Sequence, residues 1–126
     1  MALLLDTHAL IWWAVGDDRL SNRARRAIET EEVYVSAASA FEISVKHALG
    51  KLPQAAALAV DIRGYVESQG FHCLMIEFAH AEKAGALAGP ARDPFDRLLV
   101  AQSMIEGLSL VSNERPFDAY AIRRLW

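Results

Sequence analysis

The chain has one cysteine, four prolines and seven glycines in 126 residues, and a net charge of only −3. Each scarcity excludes something. One cysteine allows no intrachain disulfide, and Cys73, set in the apolar run 71–76, is expected as a buried thiol in a reducing compartment. With 53% hydrophobic and 23% charged residues and so few chain breakers, a disordered or low-complexity chain is excluded. The lack of a positive excess excludes a protein that coats nucleic acid through bulk charge. Nucleic acid stays open as a substrate, because Arg19, Arg23, Arg25 and Arg26 crowd together and form either a local basic strip or a solvated helix face. No long hydrophobic run is present. The apolar start is interrupted at Asp6 and His8, too short for a signal or membrane segment, so a cytoplasmic protein without membrane contact is expected. No repeat or linker divides the sequence, and residues 1–126 are read as one domain with room for a sizeable core.

What is present is an alternation of short apolar runs and helical segments. Residues 2–5 suit a strand buried on both faces. After Asp6 comes a short, very apolar helix over 9–15 whose Leu10, Ile11, Trp12 and Trp13 carry more apolar bulk than one stripe can hide, which predicts self-association, most simply as a homodimer. Ser21 caps a helix to about residue 30, with Leu20, Ala24, Ala27 and Ile28 inward. A strand at 33–35 runs into Ser36, which caps a helix to about residue 49 with Glu42 near its middle. One helix is expected over 56–69, despite Gly64, then a strand at 71–76 and a helix at 79–87. Gly89-Pro90 breaks the chain. A strand at 108–111 ends at Ser112-Asn113-Glu114, and the tail 121–126 adds a short edge strand. Strand and helix in alternation predict an α/β fold, a three-layer α/β/α sandwich around a mainly parallel sheet.

The stretch DPFDRLLVAQ, Asp93 to Gln102, carries the densest signal. Asp93 before Pro94 is an N-cap followed by the residue that suits the first helical position, and Asp96 stands three residues on. Phe95, Leu98, Leu99, Ala101 and Ile105 supply an inward face. Two carboxylates at a helix mouth can simply complement the helix dipole. They gain a second meaning because Asp6 and Glu114 both lie just past strand ends, where open α/β sheets place their functional crevice. Carboxylates gathered there with Glu42, short of basic partners, raise one another's pKa, and Mg²⁺ or Mn²⁺ relieves that conflict with oxygen ligands and retained water. Such an ion serves phosphodiester hydrolysis. Spacing alone reaches a metal-dependent phosphoesterase and stops.

Three blocks carry more than spacing: LLLDTHALIWW at the start, EISVKHALGKL from Glu42 to Leu52, and RDPFDRLLVAQS around Asp96. In order and separation they resemble the signature blocks of PIN-domain proteins, specifically VapC-type toxins of toxin–antitoxin pairs, over essentially the whole chain. The resemblance implies a Mg²⁺- or Mn²⁺-dependent endoribonuclease, commonly dimeric, that leaves 5′-phosphate and 3′-hydroxyl ends and is silenced by a cognate antitoxin. Such an antitoxin is expected to lay a tail along the acidic groove with Arg or Lys near the carboxylates. By position, Asp6, Glu42 and Asp96 match the family's acidic metal site. The family pattern has Asp after the last core strand where this chain has Glu114, whose longer side chain reaches directly or through water. Asp93 matches an acid frequent in the subgroup but outside the universal set, and its capping role stands beside any metal role.

Other residues have plainer readings. His8, His47, His72 and His80 lack metal-ligand spacing and are assigned structural or surface roles. Trp12 and Trp13 are read as core or dimer contacts, Glu42 and Lys46 as a helix-stabilising pair, and Thr7 as a water holder or helix starter. A phospho-acceptor domain is excluded for want of a late Lys, and a haloacid-dehalogenase-like phosphatase for want of a second Asp after Asp6. The remaining alternative is a catalytically inactive PIN-like binding module.

Overall fold

The computed structural model describes residues 1–90 and 93–126. Arg92, which opens the third sequence block, lies outside them. β1 (Ala2–Leu5) forms where four apolar residues meet no polar interruption, and its Leu3, Leu4 and Leu5 are wholly buried. It lies at the centre of a five-stranded sheet of order β3-β2-β1-β4-β5, with β2 (Glu32–Ser36), β3 (His72–Leu74), β4 (Ser109–Val111) and β5 (Arg124–Leu125). Every pairing is parallel, with Leu5 opposite both Val35 and Val111. The tail does supply the edge strand.

Alternation along β1 separates two cores. Leu3 and Leu5 face α1 (Thr7–Val15), α2 (Asn22–Thr30), α3 (Ala37–Ala48), α4 (Ala56–Val60) and α5 (Ile62–Ser68), while Leu4 faces α7 (Pro94–Glu106) together with Phe117 and Tyr120. α6 (Phe78–Ala86) packs against α7. Helices cover both faces, which is the three-layer α/β/α sandwich expected. Caps behave as the residue types dictate: Ser21 accepts from Ala24 N, and Ser36 from Ala38 N. Among the described residues no helix is long and apolar enough to cross a membrane.

Several expectations need correction. The apolar bulk of α1 is not surface: Leu10, Ile11 and Trp12 are buried, and Trp13 is half-buried with its Nε1 donating to Gln69 Oε1 at 3.0 Å. The helix is walled by α3 and the segment that follows it, so it offers no reason for self-association. On α1 Val15 is exposed, and more exposed apolar side chains lie elsewhere, among them Phe41 of α3, Leu49 at its C-cap and Phe78 of α6. Cys73 is exposed because β3 is an edge strand. That strand is shorter than 71–76, and Ile105 on α7 is exposed rather than inward. His80 is structural, as expected: its Nδ1 accepts from Glu77 N at 2.9 Å and its Nε2 lies 2.9 Å from Glu106 Oε2, tying α6 to α7.

The expected helix over 56–69 is two helices. Asp61 adopts φ −149°, ψ 81°, leaves the helical region, and caps α5 by accepting from Gly64 N at 2.9 Å. Gly64 permits this, since a Cβ there would meet the Asp61 carboxylate. The two residues are therefore coupled. Asp61→Ala is expected to cost about 1 kcal/mol as a lost cap. Gly64→Ala should destabilise the natural chain but stabilise the Asp61→Ala chain by up to about 1 kcal/mol through helix propensity. Urea denaturation of the four proteins checks this, and the same sign of effect in both backgrounds contradicts it.

Candidate metal site at the end of the central strands

The sheet order reverses between β1 and β4, and that is where a parallel sheet opens a crevice beyond its strand ends. Asp6 follows β1 directly, and its N–H donates to Val111 O at 3.1 Å, so the parallel ladder itself fixes the residue. Its Oδ1 accepts from Ala9 N at 2.7 Å, capping α1, and the Ser112 hydroxyl donates to the same carboxylate. Ser112 also accepts from Glu114 N at 3.0 Å, which links the two strand ends through one hydroxyl. Burial raises the Asp6 pKa to about 6, against the opposing pull of Ser112, Ala9 N and His8.

Glu42 reaches the crevice from one side, midway along α3. The Thr7 hydroxyl donates to Glu42 Oε1 at 2.7 Å and lies 3.0 Å from Ser39 Oγ. Glu42 Oε2 pairs with Lys46 Nζ at 2.8 Å. Asp96 enters from the other side, in the first turn of α7. Asp93 caps that helix as the sequence predicts, accepting from Phe95 N at 2.8 Å and Asp96 N at 3.3 Å. Among the described residues the Asp96 carboxylate has no hydrogen-bonding partner. Burial first, then the charges of Asp93, Glu114, Glu42 and Asp6, raise its pKa to about 7.

All five acids, Asp6, Glu42, Asp93, Asp96 and Glu114, line one pocket of about 150 Å³ together with Thr7, His8, Lys46 and Leu99. A wider, mostly apolar groove of about 340 Å³ adjoins it, sharing Asp96 and Glu114 and walled by Pro90, Pro116 and Phe117. Among the described residues Lys46 and His8 are the basic groups on the pocket wall, and His8 Nδ1 stands 4.0 Å from Glu114 Oε1. Carboxylates thus outnumber cations among the described residues. Among the described residues, however, no three His, Cys, Asp or Glu side chains are drawn together into a ready cage for an ion. The donors are hard oxygens on a shared wall, which fits a small divalent cation that keeps part of its water shell. Ser112 and Ser39 were not legible as site residues. Lys46, by its spacing a helix partner of Glu42, also lines the pocket.

The PIN domain family model matches residues 3–123. The chain is 31% identical over 117 residues to Ribonuclease VapC22 of Mycobacterium tuberculosis, covering 90% of this chain and 87% of that protein. Among solved structures, VapBC2 from Rickettsia felis, bound to a DNA fragment from its promoter, superposes with a TM-score of 0.75 at 16% identity, over 100% of this chain and 99% of the other. Mycobacterium tuberculosis VapC20, described as a Sarcin-Ricin loop cleaving toxin, gives 0.66 at 18% identity over 95% of each chain. At such identities the structures speak for the fold alone. The sequence match carries the family: the chain belongs to the PIN domain family.

Proposed function

We propose that the chain is a Mg²⁺- or Mn²⁺-dependent endoribonuclease, the toxin of a toxin–antitoxin pair. The observation that carries this reading is the gathering of five carboxylates on one pocket wall, where Asp96 is raised to about 7 by burial and by four neighbouring acids. The likeness to a protein named a ribonuclease supports RNA as the substrate. Asp6, Glu42 and Asp96 would hold the ion, with Glu114 assisting directly or through water and Asp93 mainly capping α7. When bound, such an ion activates water and stabilises charge on a phosphoryl oxygen.

The chain's own groups prepare the site. Ala9 N and Ser112 fix the Asp6 carboxylate and leave its other lone pairs toward the pocket. Thr7 and Lys46 hold both oxygens of Glu42 in place, and Lys46 adds a cation to meet a phosphate. Among the described residues Asp96 stays uncommitted. An inactive interaction module would share this fold, and cleavage separates the two readings. For partners, the exposed apolar side chains of Phe41 and Leu49 lie on and at the C-cap of the helix that carries Glu42, so an antitoxin or a second copy seated there also approaches the pocket.

Replacing Asp6 or Asp96 with Asn, or Glu42 with Gln, should reduce RNA cleavage by more than about 100-fold, beyond the range typical of outer-shell residues. Asp93→Asn should be mild, because Asn caps a helix as well as Asp. A large loss in Glu114→Gln makes that residue a site member. Undiminished cleavage in excess EDTA would overturn the proposal.

Without metal, the raised pKa values also shape stability. Both acids ionise less readily in the folded chain than in the unfolded one, so their contribution is fully present below about pH 4 and is lost as pH rises to about 7. In EDTA at pH 8, Asp6→Asn should therefore be more stable than the natural chain by roughly 1–3 kcal/mol. The more open Asp96 should give less. Thermal unfolding of both variants checks this, and a loss of stability at pH 8 contradicts it.

An antitoxin that silences the site should depend on the same charge. Its affinity at low salt should fall when Asp6 and Asp96 are both replaced by Asn, as titration calorimetry can read. Unchanged affinity removes the electrostatic part of the proposal.

A further inference from the structure

His8 follows Thr7 on the first turn of α1, and its neighbours Thr7 and Ala9 are buried. Its own side chain is 47% exposed and lines the carboxylate pocket. One helical turn on, at the i,i+4 position, stands Trp12. The two rings stack with centroids 5.6 Å apart and an interplanar angle of 26°. Trp12 cannot easily turn away, because Trp126 packs edge-on against it at 5.8 Å and the Arg19 guanidinium lies 5.0 Å from its ring centroid. Arg19 is itself fixed by a fork onto Asp17, with Nη2 2.7 Å from Oδ2. A rigid indole thus backs the imidazole, whose Nδ1 edge points toward Glu114.

The other histidines differ. His80 is buried, and His72 leans on Tyr34 at the opposite end of the sheet, where β3 begins. His47 is exposed on α3 and does not line the pocket. His8 alone among them puts an aromatic ring at the pocket wall with its orientation already set.

We propose that the exposed face of the His8 ring, stacked on Trp12 at the rim of the carboxylate pocket, is a platform for an unstacked base of single-stranded RNA next to the phosphodiester that is cut. This rests on the endoribonuclease reading above. A π-face accepts any base, so the platform positions the strand rather than reading its sequence. Pre-stacking on Trp12 lowers the ordering cost of binding. The adjoining apolar groove leaves the strand a way onward past Asp96 and Glu114.

The test measures binding of a short single-stranded RNA by fluorescence anisotropy, in Mg²⁺, to protein carrying Asp96→Asn so that binding is read without turnover. Base–aromatic stacking of about 1–3 kcal/mol corresponds to an affinity loss of about 5- to 150-fold in His8→Ala. His8→Phe and His8→Tyr should restore most of it. An abasic residue walked along the RNA should weaken binding at one position with His8 present, and should cost nothing further at that position in His8→Ala. Equal affinity of His8→Ala, failure of both aromatic replacements, or abasic penalties that match at every position each overturn the platform. Cleavage of the same RNA by the natural chain reads the nuclease proposal separately. Cleavage without the stacking signature sinks the platform alone, whereas the stacking signature without cleavage sinks the nuclease and leaves His8 only as a stacking contact for bound RNA.

Discussion

β1 is hydrogen-bonded along both edges, to β2 and to β4, so the residue at its end cannot shift without dragging two neighbours. The ladder continues one residue beyond the strand, through Asp6 N to Val111 O. A carboxylate is thereby fixed in a crevice that the sheet order itself creates. Ser112 and Glu114 are placed by the same register, because they follow the partner strand. The α3 and α7 acids then need only helix caps of ordinary kinds, Ser36 and Asp93, to start their helices at positions that face it.

That placement is costly. Asp6 is 4% exposed, and Asp96 is raised to about 7 largely by burial. A domain selected only for stability would put amides or apolar groups there. The hydrogen bonds around Glu42 have a different character: both of its oxygens are already satisfied, by Thr7 and Lys46. Among the described residues the site therefore combines a prearranged acid with an uncommitted one, which fits the proposed cation.

Much of this was legible in the sequence because it is local. An uninterrupted Leu3-Leu4-Leu5 run reads as a central strand, Ser21, Ser36 and Asp93 read as caps, and Asp6 and Glu114 read as strand-end acids. What stayed hidden depends on distant chain. Cys73 looks buried in its own run, yet its strand falls at the sheet edge. The apolar excess of α1 looks like surface until α3 and the helices after it close over it. The bond from Ser112 to Asp6 spans the two ends of the chain, and no local pattern announces it. Asp61 breaks a helix that periodicity would continue, by taking the cap that Gly64 leaves room for.

The crevice acids are proposed to act together on a divalent cation. Titration of the metal-free natural chain with Mn²⁺, followed by electron paramagnetic resonance, tests it without any RNA or activity readout. Saturable binding is expected, lost in Asp96→Asn and retained in Asp93→Asn. Binding that survives Asp96→Asn, or its absence from the natural chain at millimolar Mn²⁺, would contradict it.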